Sequence, residues 1–134
     1  IESNFVESGL VRYEYHYATF DQSVGRFAAE AAECANQQGA FWPYHDILFA
    51  NQTGARDQYS ERRLLAFAED LDLDGREFRS CLDEGKSSAV VQQDAELAAE
   101  MGVNATPTVF INGEKVEGSM SFEIYKEIIE RKLE

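Results

Sequence analysis

The sequence of 134 residues predicts one domain of the mixed α/β or α+β class. Three observations support that class. A segment near the N-terminus alternates between apolar and polar residues, a block of about four amphipathic helices follows, and an Asn-Gly turn between two short apolar runs precedes a last helix. No internal repeat and no low-complexity linker divides the chain, and its length suffices for a core without metals or dense disulfides.

The first elements are predicted from a glycine stop and an alternating pattern. SNFVES, followed by Gly9, is typical of the end of a helix. LVRYEYHY then alternates as a half-buried strand does, with His16 on the polar, solvated face. The residues expected on its other face are Val11, Tyr13, Tyr15 and Tyr17.

Four helices are predicted in the middle of the chain. DQSVGRFAAEAAECANQQG has an apolar stripe and a stop at Gly39, and FWPYHDILF has Pro43 in its first turn. SERRLLAFAEDL begins with Ser60 as an N-cap, and DGREFRSCLDEG ends at Gly85. The stripe of the first of these helices consists of Val24, Phe27, Ala28, Ala31, Cys34 and Ala35.

The C-terminal third is predicted to be a helix, a hairpin and a final helix. SSAVVQQDAELAAEMG forms a longer helix that ends at Gly102. TVFI and EKVEG form two strands around Asn112-Gly113, which is the strongest two-residue hairpin signal. SFEIYKEIIERKLE has the spacing of an amphipathic helix.

The charge of the chain excludes several classes of partner. Twenty-five acidic and twelve basic residues give a formal net charge of −13. Such a surface repels phosphate backbones and anionic lipids, so we expect neither nucleic acid nor a membrane surface as a partner. No apolar run approaches the length of about 18 residues that spans a bilayer, so no membrane insertion is expected. The sequence contains no cofactor motif, and we expect no cofactor.

Cys34 and Cys81 are the two cysteines, and their spacing excludes two kinds of site. They are too far apart for a C-x-x-C redox motif and too few for a structural zinc site. The two histidines, His16 and His45, show no spacing that suggests a metal ligand set, so we expect no metal. From the residues alone, two buried free thiols remain a reasonable interpretation of the cysteines.

Three stretches together resemble the DsbA-like thiol-disulfide oxidoreductases: AAECANQQGAFWPYHDILFANQ, FRSCLDEGK and MGVNATPTVFINGEKVEG. Their order and spacing carry the resemblance over most of residues 9–134. It implies an α/β, thioredoxin-like fold with an inserted helical subdomain, truncated at its N-terminus. The implied domain covers residues 1–134, with the helical insertion at about 22–101 and the thioredoxin hairpin and helix at about 103–134.

The resemblance assigns a role to the loop Ala105, Thr106 and Pro107. In the family, the proline of this loop is cis, and the exposed backbone of the preceding residue binds a substrate peptide by strand addition. The loop is therefore expected to bind unfolded or cysteine-containing protein substrates. The alternative is that Pro107 merely begins an edge strand, where prolines are common.

The redox motif of the family is absent from this chain. The family places a C-x-x-C at the start of a helix, where the helix N-terminus stabilises a thiolate, and IESNFVESGL resembles the end of that helix. The chain alone is therefore expected not to catalyse dithiol exchange. A central strand is expected to be missing as well. Direct pairing of the VRYEY and TVFI strands, a strand from a second copy in a homodimer, or a segment outside this sequence would fill the gap.

The resemblance also bears on the cysteines, the compartment and the partners. It favours a structural disulfide between Cys34 and Cys81, because the family works outside the cytoplasm, where disulfides persist. We therefore expect the protein in the cell envelope, in the periplasm or outside the cell, with a redox partner protein. The aromatic residues of FWPYHDILF are expected to be core and cap packing rather than a binding site.

Two functions from different classes follow. The first is a part of a DsbA-like protein thiol-disulfide oxidoreductase, whose direction as oxidase, reductase or isomerase depends on the absent motif. The alternative is a redox-inactive thioredoxin-fold module that binds peptides or proteins. A glutathione-conjugating relative with the same helical insertion is a weaker third hypothesis. The sequence upstream of Ile1 would separate the first two.

Overall fold

The computed structural model describes residues 1–20 and 24–134. That part contains six α-helices, one two-stranded sheet and a short π-helical turn at Glu2–Val6. The helices are α1 (Val24–Asn36), α2 (Phe41–Ala50), α3 (Glu61–Asp70), α4 (Gly75–Asp83), α5 (Ser88–Glu100) and α6 (Phe122–Leu133). The strands are β1 (Thr108–Ile111) and β2 (Glu114–Glu117). The chain divides into two compact units, residues 19–97 and residues 1–18 with 98–134.

The helices and the hairpin were predicted within a few residues, and the N-terminal strand was not. Residues 11–20 adopt no regular secondary structure, so the prediction of a strand in LVRYEYHY is wrong, as is its direct pairing with TVFI. Tyr17 is buried while Tyr13 and Tyr15 are exposed by about two fifths. An alternating apolar and polar pattern indicates that one face of the segment is partly buried. A strand also needs a neighbouring strand to bond with, and the pattern does not indicate whether one is present. Residues 21–23 and the side chain of Val24, which the helix prediction included, lie outside the described residues.

The hairpin follows its turn chemistry. Asn112 and Gly113 have positive φ angles of 45° and 83°, as a two-residue type I′ turn requires. The antiparallel register pairs Val109 with Val116 and Phe110 with Lys115. Val116 is buried and α6 packs on β1, so the hairpin has one covered face.

The core of the unit formed by residues 19–97 lies between α1 and its neighbours α2, α3 and α4. The alanines of α1 let these helices approach closely, because an alanine side chain adds little to the distance between helix axes. Its buried apolar positions are Ala28, Ala29, Ala31, Ala32, Cys34 and Ala35, and Glu33 is buried among them. The other helices contribute the large side chains, of which Tyr44, Leu64 and Phe78 are fully buried.

Tyr44 is a buried polar group with a partner. Its hydroxyl donates a hydrogen bond of 2.9 Å to the carbonyl of Leu64, and its ring lies 5.4 Å from the ring of Phe78. The hydrogen bond removes the cost of burying an unpaired hydroxyl. Burial also raises the pKa of Tyr44 well above its ordinary value of 10.0, because the phenolate would lose its hydration.

We predict that Tyr44 makes the fold sensitive to alkali. Above pH 10.0, the ordinary pKa of tyrosine, the unfolded chain loses the Tyr44 proton while the folded chain retains it. The free energy of unfolding should therefore fall as the pH rises beyond that value. Tyr44→Phe should be less stable at neutral pH and should show a smaller alkaline decrease, measured by urea unfolding over a pH series. Tyr13 and Tyr15, whose pKa values burial also raises, are present in both proteins and cancel in the comparison. Equal decreases in the two proteins would contradict the prediction.

Candidate functional site

The loop of Ala105, Thr106 and Pro107, called the docking loop below, joins the end of α5 to β1. All three residues are exposed, and the peptide bond between Thr106 and Pro107 is cis. The α5 helix ends before Gly102, whose φ of 68° is one that glycine adopts without strain. Thr108, directly after the loop, is the first residue of β1. The structure therefore places the three residues expected to bind substrate together, on the surface and next to a strand.

Hydrogen bonds from neighbouring residues hold the docking loop in shape. The Thr108 hydroxyl donates to the carbonyl of Ala105 at 2.7 Å, and the Gly118 amide donates to the carbonyl of Pro107 at 2.8 Å. The Asn104 side chain donates to the carbonyl of Gly102 at 3.1 Å. Asn104 and Thr108 were not among the residues predicted for this site. The signal for both is local, because Asn and Thr side chains readily bond to backbone two or three residues away.

The docking loop continues into a strand that is paired on one side. Within residues 1–20 and 24–134 the sheet consists of β1 and β2 alone, so β1 has backbone hydrogen bonds to a neighbouring strand on one side only. A strand edge presents amide and carbonyl groups that an extended peptide can pair with. The exposed backbone of the loop suits pairing with an extended polypeptide, whereas the open edge of β1 is the position at which the resemblance expects a further strand.

The two cysteines form a disulfide with each other, as the resemblance implied. Cys34 on α1 and Cys81 on α4 have Cα atoms 5.8 Å apart and are 47 residues apart in sequence. Both are buried, and the Ser87 hydroxyl, also buried, lies 3.6 Å from the Cys34 sulfur. The interpretation of two free thiols is therefore wrong. A buried disulfide with no free cysteine beside it supplies no thiolate for exchange.

The aromatic residues of α2 are only partly core, which corrects the expectation from sequence. Tyr44 is fully buried, whereas Trp42 and Phe49 are 38% and 58% exposed. The imidazole of His45 lies between their rings, with centroid distances of 5.4 Å to Trp42 and 4.7 Å to Phe49. Its Nδ1 lies 3.0 Å from a carboxylate oxygen of Asp46. Trp42, His45 and Phe49, with Phe41, form an aromatic cluster on the surface of the unit of residues 19–97.

Two further observations concern a metal site and a membrane span. Across residues 1–20 and 24–134, no three His, Cys, Asp or Glu side chains are grouped as metal ligands would be. In the same residues, no helix combines the length and apolarity that crossing a membrane requires.

Comparison with known proteins identifies the family. A family model described as Thioredoxin matches residues 1–131, so the chain belongs to this thioredoxin family. Among solved structures, oxidised BdbD from Bacillus subtilis matches with a TM-score of 0.87 at 24% identity, over 98% of this chain and 74% of that chain. The thiol-disulfide exchange protein DsbA2 from Wolbachia pipientis matches with a TM-score of 0.82 at 14% identity, over 95% and 68% of the two chains. The fold is thus thioredoxin-like, mostly helical with a small antiparallel sheet, and it matches DsbA-like structures.

Three relatives in sequence carry different names. The Na(+)/H(+) antiporter NhaA 3 of Salinispora tropica is 39% identical over 120 residues, which cover 88% of this chain and 18% of the antiporter. Disulfide bond formation protein D of Bacillus subtilis is 25% identical over 137 residues, 99% of this chain and 62% of the relative. The ClpXP adapter protein SpxH of Bacillus subtilis is 37% identical over 131 residues, which cover 90% of this chain and 43% of the relative. The chain therefore spans less than two thirds of the length of each of these relatives.

Proposed function

We propose that this chain is the substrate-binding part of a DsbA-like protein thiol-disulfide oxidoreductase, whose C-x-x-C motif is supplied by sequence outside the chain. The observation that carries the proposal is the docking loop, which is exposed, held by hydrogen bonds and continuous with β1. The likeness of the fold to a thiol-disulfide exchange protein supports it.

The residues of the chain bind and orient the substrate in this proposal. An unfolded polypeptide pairs its backbone with that of Thr106, and the Pro107 ring provides an apolar contact beside it. The substrate cysteine is thereby placed next to the redox motif. A thiolate then attacks one sulfur of a disulfide, and the other sulfur leaves as a thiolate. Cys34 and Cys81 take no part, because they are bonded to each other and buried.

The partners and the compartment follow from the same proposal. The substrates are unfolded, cysteine-containing proteins, and a second redox protein restores the motif after each exchange. A disulfide inside the chain is typical of an oxidising compartment, so we place the protein in the cell envelope or outside the cell. The large negative charge of the chain favours cationic substrate segments through long-range attraction.

Two substitutions at Thr106 test whether substrates bind to the backbone of the docking loop. Thr106→Pro removes the amide hydrogen at this position, whereas Thr106→Val keeps the amide and the branched shape. We expect Thr106→Pro to weaken binding by at least about tenfold and Thr106→Val to change it by less than about twofold. The measurement is fluorescence anisotropy with a labelled extended peptide that carries serine in place of its cysteine.

The outcomes of the Thr106 experiment separate the alternatives. Equal affinities of the two variants would contradict binding through the backbone. Sedimentation of the unliganded protein should be run beside it, because a homodimer in which a second copy pairs with β1 would compete with the peptide. A dimer that the peptide does not dissociate would show that the strand edge has a different occupant.

The alternative function, a redox-inactive module that binds peptides or proteins, rests on a specific observation. The chain has no C-x-x-C, and both of its cysteines are bonded to each other. One relative is named as an adapter protein, in line with such a role. The discriminating observation is the complete gene product: a C-x-x-C upstream of Ile1 supports the oxidoreductase, and its absence supports the binding module.

A further inference from the structure

A lysine from the return strand of the hairpin contacts the segment that leads into the docking loop. Lys115 lies on β2, opposite Phe110 of β1. Its Nζ donates a hydrogen bond of 2.6 Å to the carbonyl of Gly102 and forms an ion pair with Glu117. A β-carbon added at Gly102 would lie 3.8 Å from that Nζ. The ammonium group is therefore packed against the main chain where α5 ends.

The end of α5 is a favourable place for this ammonium group. The C-terminal end of a helix carries partial negative charge, which a nearby cation stabilises even though the carbonyls of Ala98 and Ala99 already accept from the amides of Val103 and Gly102. The last turn of α5 has no basic residue of its own and includes Glu100, whose charge has the unfavourable sign. Lys115 supplies the missing cation from a different element, 13 residues further along the chain.

The contact fixes one end of the loop segment to β2, and a second contact fixes the other end. At the first end, the Gly102 carbonyl accepts from both Lys115 and Asn104. At the second, the Pro107 carbonyl accepts from the amide of Gly118, directly after β2. The exposed residues of the docking loop lie between these two points. Their position relative to the hairpin is therefore set by β2 from both sides.

We infer that Lys115 is a positioning residue for the docking loop. By holding Gly102 against β2, it keeps the backbone of Thr106 in one position, in which an extended peptide can pair with it. Lys115 does not touch the peptide. The inference rests on the proposed function for its consequence in binding, but its effect on the loop is independent of any substrate.

Lys115→Met tests the inference, because it removes the ammonium group and keeps a long apolar stem. We expect the amides of Val103 and Gly118, which donate to the carbonyls of Ala98 and Pro107 at the two ends of the loop, to exchange their hydrogens about fivefold faster, the change that loss of one hydrogen bond produces. Anisotropy with the serine-substituted peptide should show binding about fivefold weaker. Lys115→Arg, which can still donate to Gly102, should restore both quantities to within about twofold of the unsubstituted protein.

Two matched variants separate positioning from charge and from general stability. Lys126→Met makes the same change on α6, where the lysine pairs with Glu130, and should alter neither quantity. Glu117→Gln breaks the ion pair but keeps the bond to Gly102, and should leave exchange in the loop within about twofold. Urea unfolding of all variants reports any global destabilisation.

Each result of these experiments has a defined meaning. Unchanged exchange in Lys115→Met, or an equal increase in Glu117→Gln or Lys126→Met, would overturn the inference. Faster exchange with unchanged peptide affinity would also overturn it, because the loop would then not need Lys115 to bind. If the unsubstituted protein binds no peptide, the proposed function fails, and the exchange data alone decide whether Lys115 positions the loop.

Discussion

Replacing Cys34 and Cys81 together with alanine should lower the free energy of unfolding by about 4 kcal/mol, the loop-closure value for a crosslink across 47 residues. The crosslink joins α1 to α4 and limits the conformations of the unfolded chain between them. Because both sulfurs are buried, the alanines also leave a small unfilled volume that adds to the loss. Urea unfolding without reductant measures the difference.

Reduction provides the internal control for the disulfide. Dithiothreitol should destabilise the unsubstituted protein by an amount comparable with the double substitution, and it should have no effect on Cys34→Ala/Cys81→Ala. A response of the double variant to dithiothreitol would show that the reductant acts elsewhere. Equal urea midpoints for the variant and the oxidised protein would show that the crosslink does not stabilise the fold.

Phe78→Ala should cost about 3–5 kcal/mol of unfolding free energy, the range for removing a fully buried aromatic ring. Phe78 lies on α4, beside Tyr44 of α2, and α4 packs against both α1 and α3. The hydrogen bond from Tyr44 to Leu64 ties α2 to α3 and limits how far these helices can move into the space, so most of the cavity should persist. Urea unfolding in oxidising buffer measures the loss.

Phe49→Ala is the matched control for the core substitution. It removes the same side chain from α2, where Phe49 is more than half exposed. The expected cost is less than about 1 kcal/mol, since a mostly exposed side chain loses little contact on truncation. Similar losses for Phe49→Ala and Phe78→Ala would mean that the core of this unit is not where the structure places it.

Local sequence signals predicted the helices and the hairpin because their causes are local. The Asn112-Gly113 turn needs two positive φ angles that these residues adopt readily, and Gly39, Gly85 and Gly102 end helices for the same reason. One local signal was overlooked. The Asp74 carboxylate accepts hydrogen bonds from the amides of Arg76 and Glu77 and caps α4, a pattern that D-x-x-E in the sequence indicates.

The features that depend on distant partners could not be predicted from sequence in the same way. The prediction of the N-terminal strand was wrong because an alternating pattern does not show whether a neighbouring strand is present to pair with it. The predicted N-cap Ser60 precedes α3, but its side chain makes no capping hydrogen bond. The side-chain amide of Gln38 bonds to both the carbonyl and the amide of Asp74, 36 residues away in sequence. Lys115 and Gly102 meet only because the hairpin folds back toward the end of α5. The disulfide was anticipated through family resemblance rather than from local physics. The role of the docking loop in binding substrate comes from the same resemblance and stays a prediction.

Titration of isotope-labelled protein with a cysteine-containing extended peptide, followed by NMR, tests the central claim most directly. We expect the largest amide shifts to fall on residues 105–108, the docking loop and the first residue of β1, with slower amide exchange at Thr106 in the complex. Shifts confined to the aromatic cluster of Trp42, His45 and Phe49, or no shifts at saturating peptide, would contradict it.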